Sequence, residues 1–196
     1  YLEITQKYDK EIARLGHQWN SCQSAGGIKY PKPSKHMLKV YKKKRNCIHD
    51  YLHKVTRAVV NYCKANDIHT VIIGDITNIR KNKNLGKVTN QKLHALPYAK
   101  IYGMLEYKLA MHGITLAKQT EEYSSQCSPH AQQVTKEYAK KCNRTNRGLY
   151  KDKLSVYNAD AVGAFNILRK YLSVSGKQKE LSVTGLKKPD IIKVAA

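Results

Sequence analysis

The chain has 196 residues, with 36 lysines and arginines against 14 aspartates and glutamates, so its formal net charge is +22 at pH 7. It has no apolar run of about 18 residues or more and no signal-peptide pattern, and its five cysteines are too irregularly spaced for a secreted disulfide framework. We expect a cytoplasmic, nucleoid-associated protein that binds a polyanion.

The aromatic composition indicates which polyanion. One tryptophan and one phenylalanine stand against 14 tyrosines. Helices that bind membrane surfaces favour Trp, Phe and Leu on their apolar side, whereas tyrosine can stack on bases and bond phosphates. We therefore expect nucleic acid and no membrane. The alternative is a basic surface that contacts only solvent.

Two helices are predicted in residues 1–67. The first covers residues 1–24 and ends before Gly26 and Gly27, and the second begins after Ser34, a favourable N-cap. The second helix is amphipathic, with apolar residues at alternating spacings of three and four: Leu38, Tyr41, Ile48, Leu52, Val55, Val59 and Tyr62. Its other face is basic, so we expect this helical hairpin to lie against a phosphate backbone.

An α/β core is predicted in residues 68–125. Thr70–Asp75 is apolar and predicts a buried central strand. A basic, Asn-rich loop over residues 76–93 contains Arg80. A helix follows over residues 97–113, and its inward residues are expected to be Ile101, Leu105, Leu109 and Met111. Residues 114–118 form the next strand. A right-handed crossover makes the two strands parallel, so their carboxyl ends share one edge.

Carboxylates follow both predicted strands at that edge. Asp75 ends the first strand, and Glu121 and Glu122 follow the second. Magnesium prefers oxygen ligands, and two cations can clamp the attacking and leaving oxygens of a phosphodiester. The pattern predicts a metal-dependent phosphodiesterase site. The alternative is a simple turn at Asp75 and a solvated glutamate pair.

Residues 126–158 are irregular and rich in Lys, Asn and Arg. A last helix is predicted over residues 159–172, with Val162, Phe165, Ile167 and Leu168 on its apolar side, and residues 173–196 form a basic tail.

Two stretches carry a family resemblance, and they read VIIGDITNIRKNKNLGKVTNQKLHALPYAKIYGMLEYKLAMHGITLAKQTEEYSSQCSPH and RGLYKDKLSVYNADAVGAFNILRKYL. They resemble the OrfB/TnpB family of insertion sequences, compact RNA-guided DNA nucleases related to type V CRISPR effectors. The resemblance covers roughly residues 35–172. It implies an RNase H-like (RuvC) domain with an inserted helical hairpin and a zinc-ribbon-like insertion at residues 126–158, and it implies guide RNA and target DNA as partners.

The resemblance also indicates catalytic residues. Asp160, in NADAVGAFNI, matches the third acid of the family's RuvC site. The family's second acid usually stands where this chain has Gly74, so we expect Glu121 to replace it, with Glu122 and then Asp75 as the next candidates. Asp160 and Glu121 would hold Mg²⁺. The strand with the family's first acid has no counterpart in these residues, so we expect it on an N-terminal segment or partner chain.

The zinc-ribbon-like insertion departs from the family pattern. Its two Cys-x-x-Cys knuckles are represented here by Cys127-Ser-Pro-His130 and Asp152-Lys-Leu-Ser155. Serine is not a zinc ligand. We expect a degenerate ribbon without zinc, held by Tyr150, Leu154, Val156 and Tyr157. Zinc bound by Cys127 and His130 is the less favoured alternative.

The function implied is that of the C-terminal RuvC portion of an RNA-guided, Mg²⁺-dependent DNA endonuclease. A catalytically inactive RNA-guided DNA-binding protein or transposon remnant is the main alternative. A basic RNA-binding accessory protein of unrelated fold is a third, and parallel strands would exclude it. The expected nucleic-acid-binding residues are Lys39, Lys42, Lys43, Lys44, Arg45, Arg57, Arg80, Arg144 and Arg147.

Overall fold

The computed structural model describes residues 1–76, 97–144, 146, 148–176, 181–192 and 194. Arg80, Arg147 and nearly all of the predicted basic loop lie outside these residues. The helices and strands, in chain order, are α1 (Leu2–Ala25), α2 (Lys35–Ala65), β1 (Thr70–Asp75), α3 (Tyr98–Ala110), β2 (Thr115–Thr120), β3 (Leu149–Lys151), β4 (Val156–Asn158) and α4 (Ala159–Val174). No helix in this described part of the chain is long and apolar enough to span a membrane.

The chain divides into two compact units, Tyr1–Asn61 with Val194–Ala196 and Tyr62–Lys193. In the first unit, side chains of α1 contact α2. Lys44 Nζ lies 2.6 Å from Asp9 Oδ1, and Tyr8 Oη lies 3.2 Å from Cys47 Sγ. Ser34 Oγ accepts a hydrogen bond from the backbone N–H of Met37, so Ser34 caps α2 as predicted.

The buried face of α2 differs from the predicted one. Leu38 is 54% exposed, and Tyr41 and Tyr62 are also exposed, whereas Met37 and Val40 are buried. Lys44 lies on the same face of α2 as Met37 and Val40, and its charge is paired with Asp9. Leu52 is buried as predicted, so the predicted stripe is wrong mainly in the first turns of α2, where a lysine interrupts the stripe that packs.

The second unit contains the predicted parallel pair. β1 pairs with β2 in parallel, with Thr70 opposite Thr115 and Asp75 opposite Thr120. A buried central strand was predicted here, but the residues of β1 from Val71 onward are only half-buried. The reason is that β2 is the only strand paired with β1 among the described residues.

Helices α3 and α4 pack on this strand pair, α3 against β2 and α4 against both strands. Leu105 and Leu109 of α3 are buried as predicted, but Met111 is 75% exposed and Met104 is buried instead. Met111 follows the last helical residue, so the helical period no longer sets its direction. Gly113, with φ of 68°, completes the turn into β2.

A small hairpin precedes α4. β3 and β4 pair antiparallel with Tyr150 opposite Tyr157. Both tyrosines are buried in a cluster with Ala159, Val162 and Leu186. Leu154 and Val156 are exposed, contrary to the prediction. Because successive residues of a strand point to opposite faces, Tyr157 and its neighbour Val156 cannot both pack inward.

Candidate active site

The carboxyl ends of β1 and β2 form the candidate site. Asp75 closes β1 opposite Thr120, the last residue of β2, and Glu121 follows directly. Ligand sites of open parallel sheets lie at this edge, where the loops after the strands meet. The strand register therefore brings the chain segments that carry Asp75 and Glu121 side by side.

The side chain of Glu121 lies over Gly74. A Cβ atom built on Gly74 would lie 2.6 Å from both Cγ and Cδ of Glu121, and closer still to its Oε1. Carbon atoms in contact are normally about 3.5–4.0 Å apart. With Glu121 in this position there is no room for a side chain at position 74, so any residue other than glycine there would require the Glu121 side chain to move.

The surroundings of the Glu121 carboxyl disfavour its charged form. Partial burial raises its pKa above the ordinary value, and the negative charge of Asp75 raises it further. Two nearby carboxylates in a half-buried site repel each other, and a cation bound between them would remove that cost. Asp75 and Glu121 are thus a pair of oxygen ligands suited to a hard divalent cation.

Helix α4 holds the residues on both sides of Glu121. Lys170 Nζ donates to Thr120 Oγ1 at 2.9 Å and to the carbonyl oxygen of Glu122 at 3.2 Å. The fully buried Asn166 side chain donates from Nδ2 to the carbonyl oxygens of Ser124 and Cys127 at 2.8 and 2.9 Å. These bonds fix the turn that aims the Glu121 side chain at Gly74.

Sequence reasoning did not identify Asn166 or Lys170. Asn166 stands four residues after the buried Val162, on the apolar stripe of α4. An uncharged polar residue on such a stripe indicates a buried hydrogen-bonding role. That signal was available in the sequence, whereas nothing there pointed to Lys170.

The remaining predicted acids are on the surface of the protein. Glu122 is exposed, and Asp160 is exposed in the first turn of α4. Asn158 Oδ1 accepts hydrogen bonds from the backbone N–H groups of Asp160 and Ala161, so the start of α4 is well defined. Within the described residues, no three His, Cys, Asp or Glu side chains form a group that could hold a metal. The structure brings Glu121 and Asp75 close enough for the charge of Asp75 to act on the Glu121 carboxyl.

The two zinc candidates have other partners. Cys127 is buried and its Sγ lies 3.4 Å from the carbonyl oxygen of Thr135, while His130 Nε2 lies 2.8 Å from Tyr157 Oη. Asp152, at the second knuckle, accepts a 2.8 Å hydrogen bond from Ser128 Oγ. Protein hydrogen bonds therefore occupy the positions of both knuckles.

Most predicted nucleic-acid contacts are accessible. Lys44 differs, because it is half-buried and paired with Asp9. The exposed members of the predicted set, within the part of the chain that the structure describes, are Lys39, Lys42, Lys43, Arg45, Arg57 and Arg144.

These features define a basic α/β protein with a carboxylate pair at the ends of two parallel strands. Residues 1–80 match the OrfB_IS605 family model, described as a probable transposase. Residues 98–167 match the model of the Cas12f1-like TNB domain. The two matches together support a protein of the OrfB/TnpB family, as the motifs predicted. No curated protein matches it.

The fold is also similar to a solved structure, the cryo-EM structure of a Cas12f1–sgRNA–target DNA complex. The TM-score is 0.57 at 17% sequence identity, and the match covers 83% of this chain and 41% of that one. At this identity the likeness concerns the fold alone. This chain spans less than half the length of that protein.

Proposed function

We propose that this chain is the RuvC-like portion of an RNA-guided DNA endonuclease, and that Glu121 supplies the carboxylate that family members usually carry at the position of Gly74. The observation behind the proposal is the Glu121 side chain lying over Gly74, next to Asp75. This contact supports the proposal because it puts a carboxyl group beside position 74, where family members usually carry the second acid.

The carboxylates suit Mg²⁺, because that ion prefers oxygen ligands. Glu121 and Asp75 would hold it, together with Asp160 and an acid from a segment outside these 196 residues. Bound Mg²⁺ would supply Lewis-acid activation of the phosphodiester and its attacking water. Asn166 and Lys170 keep Glu121 in place, and the exposed basic residues would hold the phosphate backbones of guide RNA and target DNA.

A test uses the chain together with the N-terminal segment and guide RNA, on a matching DNA target. Asp160→Ala and Glu121→Ala should each abolish Mg²⁺-dependent cutting while DNA binding persists. Gly74→Glu in the Glu121→Ala background should restore part of the cutting, because it returns a carboxylate to the same space. Glu122→Gln is the matched control and should cut normally. Normal cutting by Glu121→Ala, with Asp75→Ala or Glu122→Ala inactive, would show that Glu121 is not the second acid.

An inactive RNA-guided DNA-binding protein is the second candidate. It is favoured by the lack of a three-acid group among the described residues. The same reconstituted complex separates the two proposals. Tight target binding without cutting, in Mg²⁺ and in Mn²⁺, would establish the inactive binder.

We further propose that residues 126–158 form a ribbon that needs no zinc. The side chain of Ser128, in the first knuckle, is hydrogen bonded to Asp152, at the second, and Tyr150 and Tyr157 are buried. Asp152 Oδ1 also accepts hydrogen bonds from the backbone N–H groups of Leu154 and Ser155. These contacts supply the cross-links that zinc would otherwise provide.

A further inference from the structure

A cavity lies where α1 passes into α2. Its volume is about 790 Å³, and its walls include Trp19 of α1, Tyr30 and Pro31 of the linking segment, and His36 of α2. Pockets that bind small organic groups have volumes of about 300–1,000 Å³. Tyr30 is 83% exposed, so most of its side chain can contact a ligand. The cavity therefore offers aromatic surface in a space large enough for a planar ring.

Hydrogen bonds hold the walls of this cavity in place. Trp19 Nε1 donates to the carbonyl oxygen of Lys32 at 2.8 Å, which fixes the indole against the linking segment. The backbone N–H of Ile28 donates to the carbonyl oxygen of Gln23 at 2.9 Å, so the chain turns back directly after α1. A ligand would meet a wall that is already ordered, and less entropy is lost on binding to such a wall.

The charge around the cavity suits an anion. Lys29, Lys32 and Lys35 line or adjoin it and are exposed, and residues 12–49 contain no aspartate or glutamate. Lys29 Nζ lies 5.7 Å from the centroid of the Tyr30 ring, so positive charge and aromatic surface are adjacent. This combination can stack a base on the ring and hold its phosphate with the ammonium groups.

We propose that this cavity binds an unpaired base of a single-stranded nucleic acid, with the lysines holding the flanking phosphates. A duplex keeps its bases stacked in pairs, so only an unpaired base can lie against a protein ring. The proposal rests on the nucleic-acid partner of the proposed function and adds a site that contacts bases and takes no part in cutting. A membrane surface fits less well, because a recessed cavity suits a planar ring rather than a layer of headgroups.

The test uses the fluorescence of Trp19, the single tryptophan of the chain, which reports on this cavity alone. The full chain is titrated with a single strand of about eight thymidines and with a strand of equal length in which abasic sites replace the bases. The thymidine strand should quench Trp19 and bind about fivefold or more tightly, since one stacked base contributes a factor of about 5–150. A parallel titration with a uridine strand distinguishes RNA from DNA as the source of the base.

Variants of Tyr30 test the ring itself. Tyr30→Ala should weaken binding of the thymidine strand about fivefold or more and leave binding of the abasic strand unchanged. Because Tyr30 is so exposed, this change should leave the fold intact. Tyr30→Phe keeps the ring and should bind like the wild type. Tyr107→Ala removes an exposed tyrosine of α3 and is the matched control, with no effect expected on either strand.

Equal affinity and equal quenching with the thymidine and abasic strands would overturn the proposal, because charge alone would then explain binding. Quenching by phosphatidylserine vesicles and by neither strand would assign the cavity to a membrane surface and overturn it as well. Neither result bears on the proposed endonuclease, whose cutting depends on the carboxylates. Conversely, a failure to cut leaves the Trp19 titration unaffected, since that titration needs neither guide RNA nor Mg²⁺.

Discussion

Replacing Gly74 by alanine tests the packing of the candidate site most directly. The three atoms nearest to the added methyl group would all belong to the Glu121 side chain, and two of them would be only 2.6 Å away. Since carbon contacts are normally about 3.5–4.0 Å, the overlap is about 1 Å. The Glu121 side chain must rotate away from position 74 to relieve it.

The expected net effect is a loss of about 1–2 kcal/mol in the free energy of unfolding. Overpacking typically costs about 1–3 kcal/mol, and replacing a strand glycine by alanine returns about 0.5–1 kcal/mol through a lower chain entropy. Urea denaturation measures this difference. A carboxyl-resolved NMR titration should also show the pKa of Glu121 falling toward its ordinary value as the side chain leaves its partly buried position near Asp75.

Two comparisons make the result specific to Glu121. Gly103 lies in α3 and a Cβ there would meet nothing within 4 Å, so Gly103→Ala should stabilise the chain by about 0.5–1 kcal/mol. In a Glu121→Ala background, Gly74→Ala should likewise become neutral or stabilising. Equal destabilisation by Gly74→Ala with and without the Glu121 side chain would refute the proposed contact.

Four further results are expected. Asn166→Leu should lower the free energy of unfolding by about 2–3 kcal/mol in urea denaturation, because two buried carbonyl oxygens lose their donor; a loss below about 0.5 kcal/mol would contradict the role of Asn166. Because the pKa of Glu121 is raised from 4.5, its contribution is most favourable below the unfolded pKa and is lost as pH rises through the folded pKa, so Glu121→Gln should stabilise the chain more at pH 7 than at pH 4 in the same assay. Nucleic-acid affinity measured by fluorescence anisotropy should fall steeply with salt, and the slope should decrease by about one for each phosphate contact removed, with a smaller change for the paired Lys44 than for Lys42, Lys43 and Arg45. Elemental analysis of the purified chain should find far less than one zinc per molecule, and stoichiometric zinc would contradict a ribbon held by hydrogen bonds alone.

Local signals predicted much of the fold. The apolar run Thr70–Asp75 has the bounds of β1, and Ser34 caps α2. The crossover rule also predicted that β1 and β2 are parallel. These features depend on residues close together in sequence, or on chain handedness, so pattern reasoning reaches them.

Burial was predicted less well, because it depends on the partner of each face. The apolar stripe read from α2 is partly exposed, since α1 contacts the stripe that includes Lys44. Val156 has a strong strand propensity but lies on the outer side of β4, opposite to Tyr157. Periodicity identifies an amphipathic element, but it does not show which face another element covers.

The sequence by itself determined the family, the identities of the candidate acids and the positive charge that suits a nucleic-acid partner. Tertiary structure decided which acids meet. Gly74 and Glu121 come together through strand register, and Asn166 reaches back to the carbonyl oxygen of Ser124 through the packing of α4 on the strands. Such contacts join residues more than forty positions apart, so they depend on the folded arrangement of whole elements and not on any local pattern.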